Sequence, residues 1–152
     1  MVCTFFGHRE CYSLDEQVLM DTIEDLIRKG VDTFYVGDQG QFDSAVYACL
    51  KQLRNRHPHI RVCVVLAYLP TEKHENDDLT DTMYPEIEGH PKFAIDRRNR
   101  WMIHASQYCI CHIDHTWGGA YKFARMAKNR GLQVINLGSE AIEGNPRRRK
   151  KE

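Results

Sequence analysis

Apolar positions along the chain follow two alternating periods. Short runs rich in β-branched, aromatic and thiol side chains occur at Val2–Phe6, Thr33–Val36, Arg61–Leu69, Gln107–Ile113 and Gln133–Leu137, each of strand length. Between them the apolar spacing changes to that of a helix. Leu19, Ile23, Leu26 and Ile27 share one helical face, and Val46, Cys49, Leu50 and Leu53 share another. A third helix is predicted over Phe93–Ala105, and Ala120, Phe123, Ala124 and Ala127 line a fourth that stops at Gly131. Ser13 with Glu16 reads as a capping box for the first helix, Asp43 is placed to cap the second, and Gly118-Gly119 opens the last. The segment RVCVVLAYL is almost unbroken in apolar character, the mark of a parallel strand covered on both faces. Five strands alternating with helices predict an α/β, Rossmann-like three-layer domain over residues 1–140. Its mostly parallel sheet of about five strands is joined by right-handed crossovers and covered by helices on both faces.

Two stretches break the pattern. Residues 70–92 are polar and acidic, with seven carboxylates between Glu72 and Glu88, and are long enough to suggest a lid-like loop. Residues 141–152 form a basic C-terminal tail containing the run Arg147–Lys151, expected to be flexible and solvating. The rest of the composition is that of an ordinary globular chain of 152 residues. Its 21 basic and 21 acidic residues cancel, which disfavours a protein that lives on a nucleic-acid backbone. No apolar run reaches membrane-spanning length, and the opening MVCTFFGHRE lacks the basic start of a secretory leader, so a cytoplasmic protein without a membrane partner is expected. The six cysteines fall largely within predicted strands and helices, where reduced core thiols are the expected state.

Ligands of open parallel sheets sit beyond the carboxyl ends of the strands, so the residues that follow each strand carry the most information. Gly7-His8-Arg9 follows the first strand and Gly37-Asp38-Gln39-Gly40 the second. Asp114-His115-Thr116-Trp117-Gly118-Gly119 follows the fourth. Glycine lets backbone amides approach an anion, a following helix N-terminus aims more amides at it, and arginine clamps phosphate in a bidentate fashion. Arg9, Arg97, Arg98 and Arg100 are the candidate clamps, and Trp117 or Phe42 is placed to stack on a base. His8 reads as a base, a phosphate donor or a loop-satisfying polar group; Asp43 reads as a helix cap that can also hold a ribose hydroxyl. The expected ligand-binding set is Gly7, His8, Arg9, Gly37, Gln39, Gly40, Phe42, Asp43, Arg97, Arg100, Thr116, Trp117, Gly118 and Gly119, and no catalytic residue is assigned. Cys109-x-Cys111-His112-x-x-His115 has the residue types of a metal site. In a strand, however, the two thiols share a face while His112 points away, so neither metal nor cofactor is expected there. Glu75, Asp77, Asp78 and Asp81 in the acidic loop are read as solvated charges.

Four segments in this order, GHRE, VGDQGQFD, IDRRNRWMI and HTWGGAYKFARMAKNRG, resemble the SLOG superfamily and, within it, the YpsA-like branch. The resemblance runs from Cys3 to Leu137. That superfamily holds LOG-type phosphoribohydrolases, DprA proteins that handle single-stranded DNA, and sensors of NAD-derived signalling nucleotides. The resemblance implies a Rossmann-like fold and a nucleotide-type pocket built from Gly7, Arg9, Gly37, Gly40, Trp117, Gly118 and Gly119, with Arg97 or Arg100 contributing. LOG-type enzymes place a catalytic glutamate in the helical turn after the diglycine. Here that turn reads Ala120-Tyr121-Lys122-Phe123-Ala124, without a carboxylate. The expectation is therefore a protein that senses or sequesters a nucleotide-derived, phosphate-containing small molecule. The alternatives are a nucleotide hydrolase of the LOG type whose carboxylate comes from Asp43, Asp114 or the acidic loop, and a DprA-like single-strand binder. Pairing into a homodimer is left open by the sequence.

Overall fold

A computed structural model describes residues 1–69 and 81–144 of the chain. Glu75, Asp77 and Asp78 of the predicted acidic lid and the basic run Arg147–Lys151 lie outside the described residues. In chain order the elements are β1 (Val2–Gly7), α1 (Glu16–Arg28), β2 (Thr33–Val36), α2 (Gly40–Arg56), β3 (Arg61–Val65) and β4 (Thr82–Met83). A 3₁₀ turn, Pro91–Phe93, then leads into α3 (Ala94–His104), followed by β5 (Tyr108–His112), α4 (Gly119–Asn129) and β6 (Gln133–Asn136).

The strands form one parallel sheet in the order β4-β3-β2-β1-β5-β6. This is the predicted α/β architecture with one strand more than expected. The addition, β4, is two residues long and pairs Thr82 and Met83 with Val64 and Val65, too short for any periodicity to announce it. From β1 the chain steps outward through β2, β3 and β4, then returns to lay β5 on the other side of β1. The reversal leaves a crevice between the carboxyl ends of β1 and β5, the place where such sheets take ligands.

Side chains alternate across the sheet into two cores. Cys3, Phe5, Phe34 and Ile110 face α1 and α2, where Leu19, Ile23, Leu26, Val46, Leu50 and Leu53 cover them. Phe6, Cys109, Cys111 and Ile113 face α3 and α4 and pack against Met102, Ile103, Phe123, Ala124 and Ala127. Full burial of each such side chain contributes about 1.5–3 kcal/mol, so this alternation is what holds the strand ends in register. All six cysteines are free thiols. Among the described residues no helix is long and apolar enough to cross a membrane.

Local starts differ from the sequence expectation where a better partner wins. Asp15, not Ser13, caps α1, accepting from the Gln17 and Val18 amides, and Ser13 Oγ donates instead to Asp114 Oδ2 at 2.8 Å. The second helix begins at Gly40 with Gln39 as its cap residue, so Asp43 lies inside the first turn. Of RVCVVLAYL only Arg61–Val65 is strand, because β4 and β2 offer pairing partners no further.

Candidate functional site

A cavity of about 700 Å³ opens at the β1/β5 crevice. Its walls come from the end of β1 and the segment after it (Gly7, His8, Arg9, Glu10, Tyr12), from Gly37, Gln39 and Asp43, from α3, and from His115, Trp117, Gly118 and Gly119 before α4. Phe6, Met102 and Phe123 give it an apolar floor. Nine of the fourteen expected ligand residues line this space, and Gly40, Phe42, Arg97, Arg100 and Thr116 do not.

Each exclusion has a packing cause. Phe42 is fully buried beneath the end of β1, where a Cβ on Gly7 would run into its ring. It is a core plug and not a base-stacking face. Gly7 is glycine to admit that ring. Gly40 has φ +92° and lies against the backbone of Arg9, with 2.7 Å between the position of a Cβ and the Arg9 Cα. It shapes the strap after β1 from behind. Thr116 is exposed beside the cavity without lining it.

Helix phase separates the arginines of α3. Ile95, Arg98, Asn99 and Met102 line the cavity, spaced i, i+3, i+4 and i+7 along one face of α3. Arg97 falls off that face, donates to the His90 carbonyl at 2.9 Å and packs beneath Gly89. Arg100 is turned to solvent and pairs with Asp96 at 2.7 Å. Arg98, only 4% exposed, donates from Nη1 to Asp38 Oδ1 at 3.0 Å and to the Val65 carbonyl at 3.1 Å, and from Nε to Asn99 Oδ1 at 2.9 Å. The apolar phase of Ile95, Met102 and Ile103 carried the signal that singles out Arg98 from its neighbours.

Asp43 sits next to that guanidinium. Its Oδ2 accepts the Gln39 amide at 3.0 Å, and the absent side chain of Gly37 lets both Asp43 and Arg98 close on the strand end. Burial raises its pKa to about 6, against the pull of the Gln39 N–H and of Arg98, with Asp38 adding to the rise. The carboxyl therefore gains and loses its proton close to neutrality inside the cavity.

On the opposite wall the first amides of α4 have no protein partner among the described residues. Gly118, at φ +92°, occupies the cap position and offers no side-chain acceptor, and the first turn holds no acidic residue. Among the described residues the amides of Gly119, Ala120 and Tyr121 find no acceptor; the first internal bond runs from Lys122 to the Gly118 carbonyl. A Cβ added at Gly119 would meet nothing within 4 Å. Such a helix end carries roughly half a positive charge and unfilled donors.

Beside it stands a column of rings. His8 stacks on His115 with centroids 3.6 Å apart and planes 17° from parallel, and His115 stacks on Trp117 at 3.9 Å and 20°. His8 Nε2 accepts the Asp114 amide at 3.3 Å. Burial first, and then the neighbouring His115, depress the His8 pKa. His115 Nδ1 is buried without any partner among the described residues, a cost of about 1–3 kcal/mol that native structures rarely leave unmet. The Arg9 side chain has no acceptor among the described residues, and Glu10 supplies the opposing charge in the same lining. Periodicity could not announce His115, Glu10 or Tyr12, since loop residues converge only after folding.

Two other predicted chemistries fall elsewhere. Cys109 and Cys111 are fully buried in the α3/α4 core, while His112 turns to the opposite face and meets Cys11 Sγ at 3.2 Å through Nδ1. Burial and then Asp114 push the Cys11 thiol up to about 11, so it stays protonated. Asp114 lies outside the cavity lining, and its carboxylate is taken by Ser13 Oγ and by the Ser139 amide and hydroxyl. Asp81 is ion-paired with Arg54 at 2.7 Å and accepts from Tyr47.

Compared with known proteins, the chain matches no family model and no curated protein. The chemistry of the cleft therefore stands on its own geometry.

Proposed function

We propose that this cleft binds the phosphate-bearing part of a nucleotide or nucleotide-derived small molecule, and that the protein senses or sequesters that molecule. The observation that carries the reading is the start of α4. Three backbone amides there lack acceptors among the described residues, Gly119 leaves open space where a side chain would stand, and the whole end opens on a cavity of about 700 Å³. A phosphate oxygen fits such an end because the amides and the helix dipole both favour negative charge. Arg9 supplies an exposed guanidinium on the same lining, without an acceptor among the described residues. Trp117, 67% exposed and backed by His115, offers a flat face to a base. This set agrees with the SLOG-like resemblance, and the lack of a carboxylate after the diglycine keeps the reading one of binding.

A thermal-shift screen tests it, with nucleoside mono-, di- and triphosphates, NAD, ADP-ribose and orthophosphate as probes. A probe at a hundredfold excess over its Kd adds about 2.7 kcal/mol, or several degrees for a domain of this size. The shift is expected to disappear in Arg9→Ala with the unliganded Tm unchanged. A flat response to every probe would overturn the proposal.

One observation favours a second reading, hydrolysis of the bound nucleotide. Asp43 is a buried carboxyl on the cavity wall whose pKa of about 6 suits proton donation near neutrality. Release of base or phosphate by the protein, abolished in Asp43→Asn, is the outcome that reading requires. Unchanged nucleotide after prolonged incubation would remove it.

A further inference from the structure

We propose that His8 serves the cleft as a neutral hydrogen-bond donor of fixed tautomer, presenting its Nδ1–H to an acceptor oxygen of the bound phosphate. The inference deepens the phosphate-binding reading and rests on it for the identity of the acceptor.

The tautomer follows from the backbone. The Asp114 amide donates to His8 Nε2 at 3.3 Å, so that nitrogen holds a lone pair and no proton. A neutral imidazole carries one proton, which must then sit on Nδ1. Among the described residues His8 Nδ1 has no protein partner, and it is not sealed away, since His115 Nδ1 is the buried side-chain atom left without one. His8 itself lines the cavity that receives the start of α4.

The same surroundings oppose a second proton. Protonation at Nε2 would set two N–H groups against each other across the Asp114 contact. The His115 ring lies face to face with His8 at 3.6 Å, and His112 acts on it from the end of β5. Asp114 raises the tendency toward an imidazolium, but its oxygens are already held by Ser13 and Ser139. Arg9 and Glu10, next in the chain, contribute opposite charges to the same wall. The net direction of the His8 pKa is downward, which favours the neutral ring.

A general base needs a ring nitrogen with an open lone pair. In His8 that lone pair is spent on the backbone, so the ring is left with donation. Donation without net charge also differs from what Arg9 does. An arginine attracts any anion at long range, whereas a fixed N–H acts only on an acceptor placed in its plane, so His8 contributes geometric selection. The stack against His115 and Trp117 fixes the plane of the ring.

Long-range ¹H–¹⁵N spectra of the histidine-labelled protein read the tautomer directly, before any ligand is added. His8 is expected to show a protonated Nδ1 and an unprotonated Nε2 at pH 8. A proton on Nε2, or a midpoint for imidazolium formation above pH 7, would overturn the proposal whatever the protein binds. Orthophosphate and AMP are then titrated against chloride at constant ionic strength, and each is expected to shift the His8 Nδ1–H resonance. If either probe binds, as judged by the α4 amide resonances, and leaves that proton unmoved, the donor role is refuted while the binding site stands. If neither probe binds, the phosphate assignment falls and the tautomer result is read separately. His8→Asn keeps an N–H near the Nδ1 position and should retain AMP affinity within about threefold. His8→Phe keeps a stacked ring but no donor and should lose about tenfold. Equal affinity in the two variants would count against donation.

Discussion

The two helix starts that face the crevice look alike in sequence and are finished in different ways. Both follow a parallel strand, both use a glycine with φ +92°, and both present amides toward the strand ends. At α2 the protein supplies the partners. Asp43 accepts the Gln39 amide, the Arg9 carbonyl accepts the Gln41 amide at 2.9 Å, and Phe42 fills the volume beneath. At α4 the first-turn amides have no protein acceptor among the described residues, the first turn itself holds no acidic residue, and Gly119 leaves room. A glycine-rich strand-to-helix turn is therefore not by itself an anion site. What decides is whether the fold returns an acidic group and an apolar plug to that end.

The contrast breaks most visibly if the plug is removed. Phe42→Ala should destabilise the protein by about 3–5 kcal/mol, the usual cost of truncating a buried aromatic, as measured by urea unfolding. A loss under about 1 kcal/mol would show that the α2 end is not packed as described. Next comes the buried acid. Because the pKa of Asp43 stands near 6 in the folded protein, above its ordinary 3.8, the unfolded chain gives up this proton at lower pH. Its contribution to stability is full below about pH 4 and declines as pH rises through 6, by at most about 3 kcal/mol. Asp43→Asn should flatten that decline, and identical pH slopes in the two proteins would remove Asp43 as its source.

Gly119→Ala sharpens the comparison from the other side. Stability should change by less than about 1 kcal/mol, since the new methyl meets no protein atom and alanine suits a helix. Affinity for a phosphate-bearing probe such as AMP should nevertheless fall about tenfold, because the methyl occupies the approach to the amides. Unchanged affinity, measured by calorimetry, would place the phosphate elsewhere. The smallest effect is expected for Arg97→Ala, whose side chain serves the His90–Gly89 corner, with binding unaltered and stability within about 0.5 kcal/mol.

Much of the fold was written in local periodicity. The strand segments and helix faces are legible because a sheet side chain alternates and a helix repeats every 3.6 residues, and burial on both faces enforces that pattern over several residues at a time. The positions after β1, β2 and β5 were legible for the same reason, since strand ends in a parallel sheet mark the crevice. The tertiary structure decided what each of those positions does. Helix phase against a packed floor chose Arg98 over Arg97 and Arg100. Packing buried Phe42, read as a stacking face, against Gly7 as a joint between β1 and α2, while Gly7 itself stays in the cavity lining. A backbone amide more than a hundred residues away in the chain, at Asp114, set the proton of His8. A two-residue strand, β4, was invisible because so few residues carry no period. Sequence by itself determined which residues alternate and which repeat, because those rules act between near neighbours. Which amides are filled, which charges are paired and which rings stack are set by contacts between distant segments, and these exist only once the sheet order has brought β1 and β5 side by side.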